Sequence, residues 1–259
     1  MCQSKPELYP GAHVEYSFRI LEVTFEPFSI PLSDPRITEV RFSIRKTDDS
    51  EKNNCSMAVM LGPVKSIEEA DQLANSIKDK LFELFSLLIG CAIGIPRLIG
   101  HGLVPRPGEG GQIHLIAHKA KLHMTGGSSP RKLTNGDIHS LSNAFSKLNT
   151  VGGSSLLRIF KYAMNIDDEV SKFLMLYLIL YLLRSTQRDV DALIRLIDPA
   201  VAQSPDPRSP NLMETCFTRL RNEITHRDVD HEATRKEISH RIYDLIKIVR
   251  TAIKQEYQL

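Results

Sequence analysis

A chain of 259 residues with 42% apolar side chains is long enough for one large domain or two modest ones, and too apolar for a disordered polymer. Its 33 lysines and arginines face 31 aspartates and glutamates, a formal charge of +2, which excludes bulk attraction to nucleic acid and leaves that role to a local patch. The four cysteines, Cys2, Cys55, Cys91 and Cys216, include no close pair, which argues against a zinc site or a disulfide framework.

The first residues, Met-Cys-Gln-Ser-Lys, lack the apolar stretch of a signal peptide, so the expected location is the cytoplasm, with reduced thiols. From Val14 to Arg45 the pattern predicts strands. Val14, Tyr16 and Phe18 alternate with Glu15, Ser17 and Arg19, and Val40, Phe42 and Ile44 alternate with Arg41, Ser43 and Arg45. Ser56 to Leu61 adds another strand, and the polar run Lys46 to Asn54 reads as a hairpin loop or a disordered tip. Ser66 and Glu69 have capping-box spacing, and Leu73, Ile77, Leu81 and Phe85 recur every fourth residue. They predict an amphipathic helix that Gly94 and Pro96 end. Gln112 to His123 reads as one more strand.

Two apolar runs, Leu81 to Ile95 and Phe173 to Leu183, fall short of the roughly 20 residues that span a bilayer, so no membrane association is expected. His114, His118 and His123 lack a nearby carboxylate or cysteine to complete a metal site. Gly108, Gly110 and Gly111 lack the lysine and the serine or threonine of a phosphate loop. No metal and no cofactor is implied, and this half carries no recognisable chemistry.

The composition turns helical between Gly126 and Gly152, which sets expected domains at 1–130 and 131–259. Helices are predicted at Ile138 to Leu148, Leu156 to Met164, Asp167 to Arg184 and Asp189 to Ile197. Asp167, Asp168 and Glu169 suit the positive end of a helix dipole. Ala202 to Pro210 reads as a proline-rich loop. Asn211 and Glu214 have capping-box spacing and open a helix with Leu212, Cys216, Leu220 and Ile224 on one stripe. Val229 to His231 reads as a turn. Thr234 and Glu237 cap a last helix with Ile238, Ile242, Ile246 and Val249 on one side. Several helices with one apolar stripe each imply a bundle, so the chain as a whole reads as α+β.

The run Arg221-Asn222-Glu223-Ile224-Thr225-His226 carries the chemistry. An arginine holds a phosphate through a planar donor fork, and a histidine moves a proton near neutral pH. In RNA the 2′-hydroxyl is a built-in nucleophile, so the pair suffices for cleavage without a metal. His226 is the expected base or acid, and Arg221 stabilises charge on the phosphorane-like state. Asn222 orients His226 or binds the phosphate, and Arg219 and Arg227 add positive charge for the RNA backbone. On an ideal helix Arg221 and His226 point about 140° apart. They meet only in a groove, at a frayed helix end or across a symmetric dimer. Without that meeting, the run is an ordinary polar helix surface with His226 near the helix end.

The segment Thr218-Arg219-Leu220-Arg221-Asn222-Glu223-Ile224-Thr225-His226 resembles the signature of the HEPN superfamily: an arginine, a polar residue after it, a short spacer and a histidine. Arg221, Asn222 and His226 match it position by position. The upstream Asp167-Asp168-Glu169-Val170-Ser171-Lys172-Phe173-Leu174 is similar to the ApeA-like variety of that domain. The resemblance covers about Asn135 to Leu259. It implies an all-α HEPN-like bundle there and says nothing of the N-terminal half, which the strand and helix patterns alone make a mixed β/α domain. It also implies a metal-independent endoribonuclease acting by 2′-hydroxyl attack in the cleft of a homodimer. The family also contains noncatalytic members. The alternative is therefore a dimeric interaction or nucleotide-binding module, an accessory protein of a metabolic operon being one form of it.

Overall fold

The computed structural model describes residues 8–20, 23–32, 34–44, 54–108, 113–115, 131–151, 155–207, 209–225 and 231–259. The chain divides into two compact units, Met1–Gly153 and Ser154–Leu259. The expected α+β class holds, with a sheet in the first unit and a helical second unit.

In the first unit the strands are β1 (Ala12–Arg19), β2 (Val23–Thr24), β3 (Phe28–Ile30), β4 (Ile37–Ile44), β5 (Asn54–Leu61), β6 (Arg97–Leu103), β7 (Ile113–Leu115) and β8 (Arg131–Lys132). Six of them form one antiparallel sheet in the order β3-β4-β5-β1-β6-β7. β2 and β8 form a separate short parallel pair. The alternation read in β1 is present: Ala12, Val14, Tyr16 and Phe18 are buried, and the residues between them are half-buried. α1 (Ile67–Ile89) packs on β1, β5 and β6. Its Phe82 ring lies 4.7 Å from that of Phe18, and its Phe85 ring 6.1 Å from that of Phe42. These aromatic contacts form the centre of this core.

β6 was not expected. Its Gly100 and Gly102 interrupt the apolar alternation that marks a strand, yet both are buried where β1 runs alongside. α1 also stops earlier than Gly94. The chain turns at Gly90, whose φ of 77° is a left-handed cap that glycine adopts without strain, with its N–H on the Ser86 carbonyl at 2.8 Å. At the other end Ser66 caps as expected. It accepts from the Glu69 N–H at 3.3 Å, while the Glu69 carboxylate accepts from the Lys65 N–H at 2.7 Å. His114 stands opposite His101 in the β6–β7 register, and His118 and His123 lie outside the described residues.

α2 (Asn135–Val151) belongs to this unit, because its apolar face is covered by α1 and β3. Leu141, Ala144, Phe145 and Leu148 are buried there, and the Ser142 hydroxyl donates to the Pro31 carbonyl at 2.8 Å. The division therefore falls at 153/154 and not at 130/131.

The second unit contains α3 (Ser155–Met164), α4 (Glu169–Arg184), α5 (Gln187–Ile197), β9 (Gln203–Asp206), β10 (Ser209–Thr215), α6 (Cys216–Thr225) and α7 (His231–Tyr257). α4 is the hub and packs on α3, α5, α6 and α7. Glu169 accepts from the Ser239 hydroxyl at one end of the α4–α7 contact, and Arg184 meets Glu256 at 3.9 Å at the other. Residue numbers rise together along both helices, so α4 and α7 run parallel. Asp168 caps α4, accepting from the Ser171 N–H at 2.7 Å, and Thr186 caps α5, accepting from the Asp189 N–H at 3.2 Å. Phe160, Phe173, Leu180, Ile194, Phe217 and Ile242 are among the buried apolar residues.

Three expectations give way here. The proline-rich segment and its continuation form a two-stranded hairpin, β9 with β10, so this half is not purely helical. Asn211 and Glu214 do not open a helix. Thr215 caps α6 instead, its hydroxyl accepting from the Thr218 N–H at 3.4 Å, and Leu212 lies exposed on β10. Thr234 and Glu237 lie inside α7, which begins at His231, and both reach α6. His226, Arg227 and Val229 lie outside the described residues. No helix among the described residues is long and apolar enough to cross a membrane.

Phe82→Ala empties a fully buried site between Phe18 and Phe42, with an expected cost of about 3–5 kcal/mol in urea unfolding. Ile95→Ala, at a side chain 87% exposed, is expected to stay within about 0.5 kcal/mol of wild type in the same measurement.

Candidate functional site

The site is set at the corner where β10 becomes α6. Asp191 of α5 is buried beneath it. A single oxygen, Oδ1, accepts from the Thr215 N–H at 2.9 Å, the Thr215 hydroxyl at 2.7 Å and the Thr218 hydroxyl at 2.7 Å. The Tyr177 hydroxyl of α4 lies 2.9 Å from Thr218 Oγ1. Each hydroxyl carries one proton. Thr218 gives its proton to Asp191, so Tyr177 donates to Thr218. Burial pushes the Tyr177 phenol up to about 12, which keeps that proton in place. The corner is thus a closed polar network in a buried setting, and it fixes the start and the rotation of α6.

That rotation gives the arginines of α6 different surroundings. Arg219 and Arg221 are two residues, about 200°, apart on the helix. Arg219 faces α7. It donates to Glu223 at 2.5 Å and to both Glu237 oxygens at 2.7 Å, and Glu237 also accepts from Arg241 at 2.9 Å. The Thr234 hydroxyl donates to Glu223 at 3.0 Å. Burial pulls the Glu237 carboxyl up, but the bonds from Arg219 and Arg241 outweigh it and hold the group below the usual range. Arg219 therefore clamps α6 to α7, its charge matched by two carboxylates. The sequence suggested Arg219 as a backbone-binding cation; here its guanidinium is ion-paired to Glu223 and Glu237.

Arg221 and Asn222 follow Thr218 by three and four residues, so they continue its face by one turn. Arg221 Nη1 donates to Asn222 Oδ1 at 3.0 Å. Asn222 Nδ2 donates to Glu214 Oε2 at 3.1 Å. Glu214 is the last residue but one of β10, and it is buried. Its carboxyl is pushed above the usual range by burial and by Asp206, with Asp191 adding to the shift and the Asn222 bond opposing it. Arg221 and Asn222, two members of the expected site, are neighbours in the chain and bond to each other. His226 and Arg227, the remaining members of the expected site, lie outside the described residues. Among the described residues Arg221 bonds to a neutral amide and to no carboxylate, so its fork keeps charge for an anion.

Sequence reading missed Glu214, Asp191 and Thr215. The apparent capping box drew Glu214 into a helix. The local signal is Thr215 followed by Thr218, a hydroxyl cap four residues after Asn211. In the first unit it missed a second polar group. His101 Nδ1 lies 2.9 Å from both Asp71 oxygens, and Tyr16 donates to Asn75 at 3.1 Å, with Lys78 5.1 Å from the Tyr16 ring. These contacts tie β1 and β6 to α1. Burial, with Asp71 and Asp79 nearby, raises the Tyr16 phenol above its usual range.

The chain matches no family model, no curated protein and no solved structure.

Asp191→Ala strands three donors, and its expected cost is about 3–5 kcal/mol in denaturant unfolding, against about 1–3 kcal/mol for Thr218→Val. Glu214 has a raised folded value, so its contribution to stability is complete below the ordinary glutamate range and is lost as pH rises through the folded value. Glu214→Gln retains that contribution. The variant's thermal midpoint is expected to exceed wild type most at about pH 8 and to converge with it near about pH 4.

Proposed function

We propose that the second unit is a HEPN-type domain that cleaves RNA without a metal, through 2′-hydroxyl attack. The observation that supports this reading is the unequal treatment of two neighbouring arginines. Arg219 is neutralised by Glu223 and Glu237, whereas Arg221 is held by the uncharged Asn222 amide. A guanidinium positioned by a neutral group retains its attraction for a phosphodiester. In this reading Arg221 holds the scissile phosphate and stabilises the charge that builds on it. His226, the residue that follows Thr225 in the sequence, exchanges protons with the 2′-hydroxyl or the leaving oxygen. A homodimer that pairs two such motifs brings Arg221 of one copy near His226 of the other, and Arg227 adds charge for the RNA backbone.

A noncatalytic dimeric module is the second reading, and a separate observation favours it. α4 leaves Leu178, Tyr181 and Leu182 exposed on one side, at i, i+3 and i+4, a spacing suited to contact between helices.

Incubation with mixed single-stranded RNA in excess chelator separates the two. The expected result is cleavage that leaves 2′,3′-cyclic phosphate ends, and no cleavage of the 2′-deoxy strand. Arg221→Ala and His226→Ala are each expected to lower the rate roughly 10²–10³-fold. RNA left intact by a protein that elutes as a dimer would instead support the second reading.

A further inference from the structure

The Arg221–Asn222 pair has a third member, Glu214, which bonds to it through the Asn222 amide. Asn222 stands between a guanidinium, which can only donate, and a carboxyl, which accepts from it. An amide is the side chain that satisfies both at once. With Oδ1 toward Arg221 and Nδ2 toward Glu214, each contact is a hydrogen bond. With the amide turned over, N–H would face N–H and oxygen would face oxygen. The orientation is therefore dictated by the chemistry of the two neighbours. Glu214 is itself held in place, since it lies on β10 opposite Ser204 of β9, one residue before the Thr215 cap that Asp191 binds.

We infer that Glu214 is a positioning residue of this site: it locks the Asn222 amide so that its oxygen tethers the Arg221 guanidinium, and it does so without forming an ion pair that would quench Arg221. The inference rests on the RNA-cleaving reading for its consequence on rate and on the hydrogen-bond geometry alone for its structural content. A direct Glu214–Arg221 salt bridge would neutralise the phosphate-binding charge, as Glu223 and Glu237 do for Arg219. The intervening amide passes on orientation and keeps the two charges apart. The anion that fits the tethered fork is a phosphodiester of a single-stranded nucleic acid, with the guanidinium approaching from its remaining N–H groups.

The test uses the full-length chain, labelled with 15N, and a single-stranded RNA in excess chelator. The Asn222 side-chain NH2 signals are identified by their loss in Asn222→Asp. In wild type they are expected to lie downfield of a free amide and to exchange slowly with water. In Glu214→Ala they are expected to move to the free-amide position, and in Glu214→Gln, where a neutral carbonyl accepts, to an intermediate one. Cleavage is expected to fall about 10- to 100-fold in Glu214→Ala, mainly in kcat, and about 3-fold in Glu214→Gln, the graded loss of an orienting bond. Wild-type amide signals in Glu214→Ala would overturn the inference, and so would equal rate losses in the two variants. Should Glu214→Ala not fold, Glu214→Gln decides, because Asn222 signals identical to wild type would then count against the lock. Should wild-type protein leave RNA intact, the nuclease reading fails while the amide signals still decide the role of Glu214.

Discussion

The second unit depends on one buried oxygen, Oδ1 of Asp191, and on the three donors that converge on it. Removing a carboxylate from water costs several kcal/mol. Hydrogen bonds to a charged group return roughly 1.5–3 kcal/mol each, so three are enough to offset that cost. The arrangement is favourable only when all three are made. It therefore specifies one geometry: β10 must end at Thr215, α6 must begin at Cys216, and Thr218 must face α5. The Tyr177–Thr218 bond extends the same constraint to α4, the hub of the unit.

The charged residues of α6 follow from that rotation. With Thr218 turned toward Asp191, Arg219 and Glu223 share a face that meets Thr234 and Glu237 of α7. Arg221 and Asn222 then fall on the face that meets β10. The clamp between α6 and α7 is a partly exposed charge network. Its energetic worth is modest compared with the buried corner, since solvent screens ion pairs of this kind. Its larger effect is on charge distribution. It consumes one arginine of the helix and leaves the next to a neutral partner, so a chain with almost no net charge still presents a local cation.

Much of the fold was legible in the sequence where one physical rule acted alone. The period-two burial of β1, the Ser66 cap of α1 and the apolar stripe of α7 all came from local patterns that tertiary packing reinforces. The reading failed where two rules competed. Asn211 with Glu214 satisfies the spacing of a capping box, but Thr215 offers a cap as well, and Asp191, which lies 24 residues away from it, makes that second cap the better one. Thr234 with Glu237 has the same ambiguity, because residues that suit a cap also suit a polar contact between helices. β6 escaped because its glycines erase the alternation. The domain boundary moved because an amphipathic helix such as α2 does not say which surface will cover it. Of the candidate site, Arg221 and Asn222 could be read locally, and Glu214 could not, since its role exists only once the hairpin brings it to the helix.

The position of Glu214 runs against what stability alone would choose. Its carboxyl is buried beside Asp206 and Asp191, and burial with those like charges raises it above the usual range, so the charged form is disfavoured in the folded chain. An apolar residue or a glutamine of similar size would relieve that cost. A buried acid that opposes folding near neutral pH and bonds to an amide of the site fits the general trade between stability and function. The corner already has its structural acid in Asp191, which satisfies the cap and the helix start without help. What Glu214 adds is a directional acceptor for Asn222 and, through it, a fixed direction for a guanidinium that is left with its charge. The cost to the fold and the gain in orientation arise from the same buried carboxyl, so neither can be altered without the other.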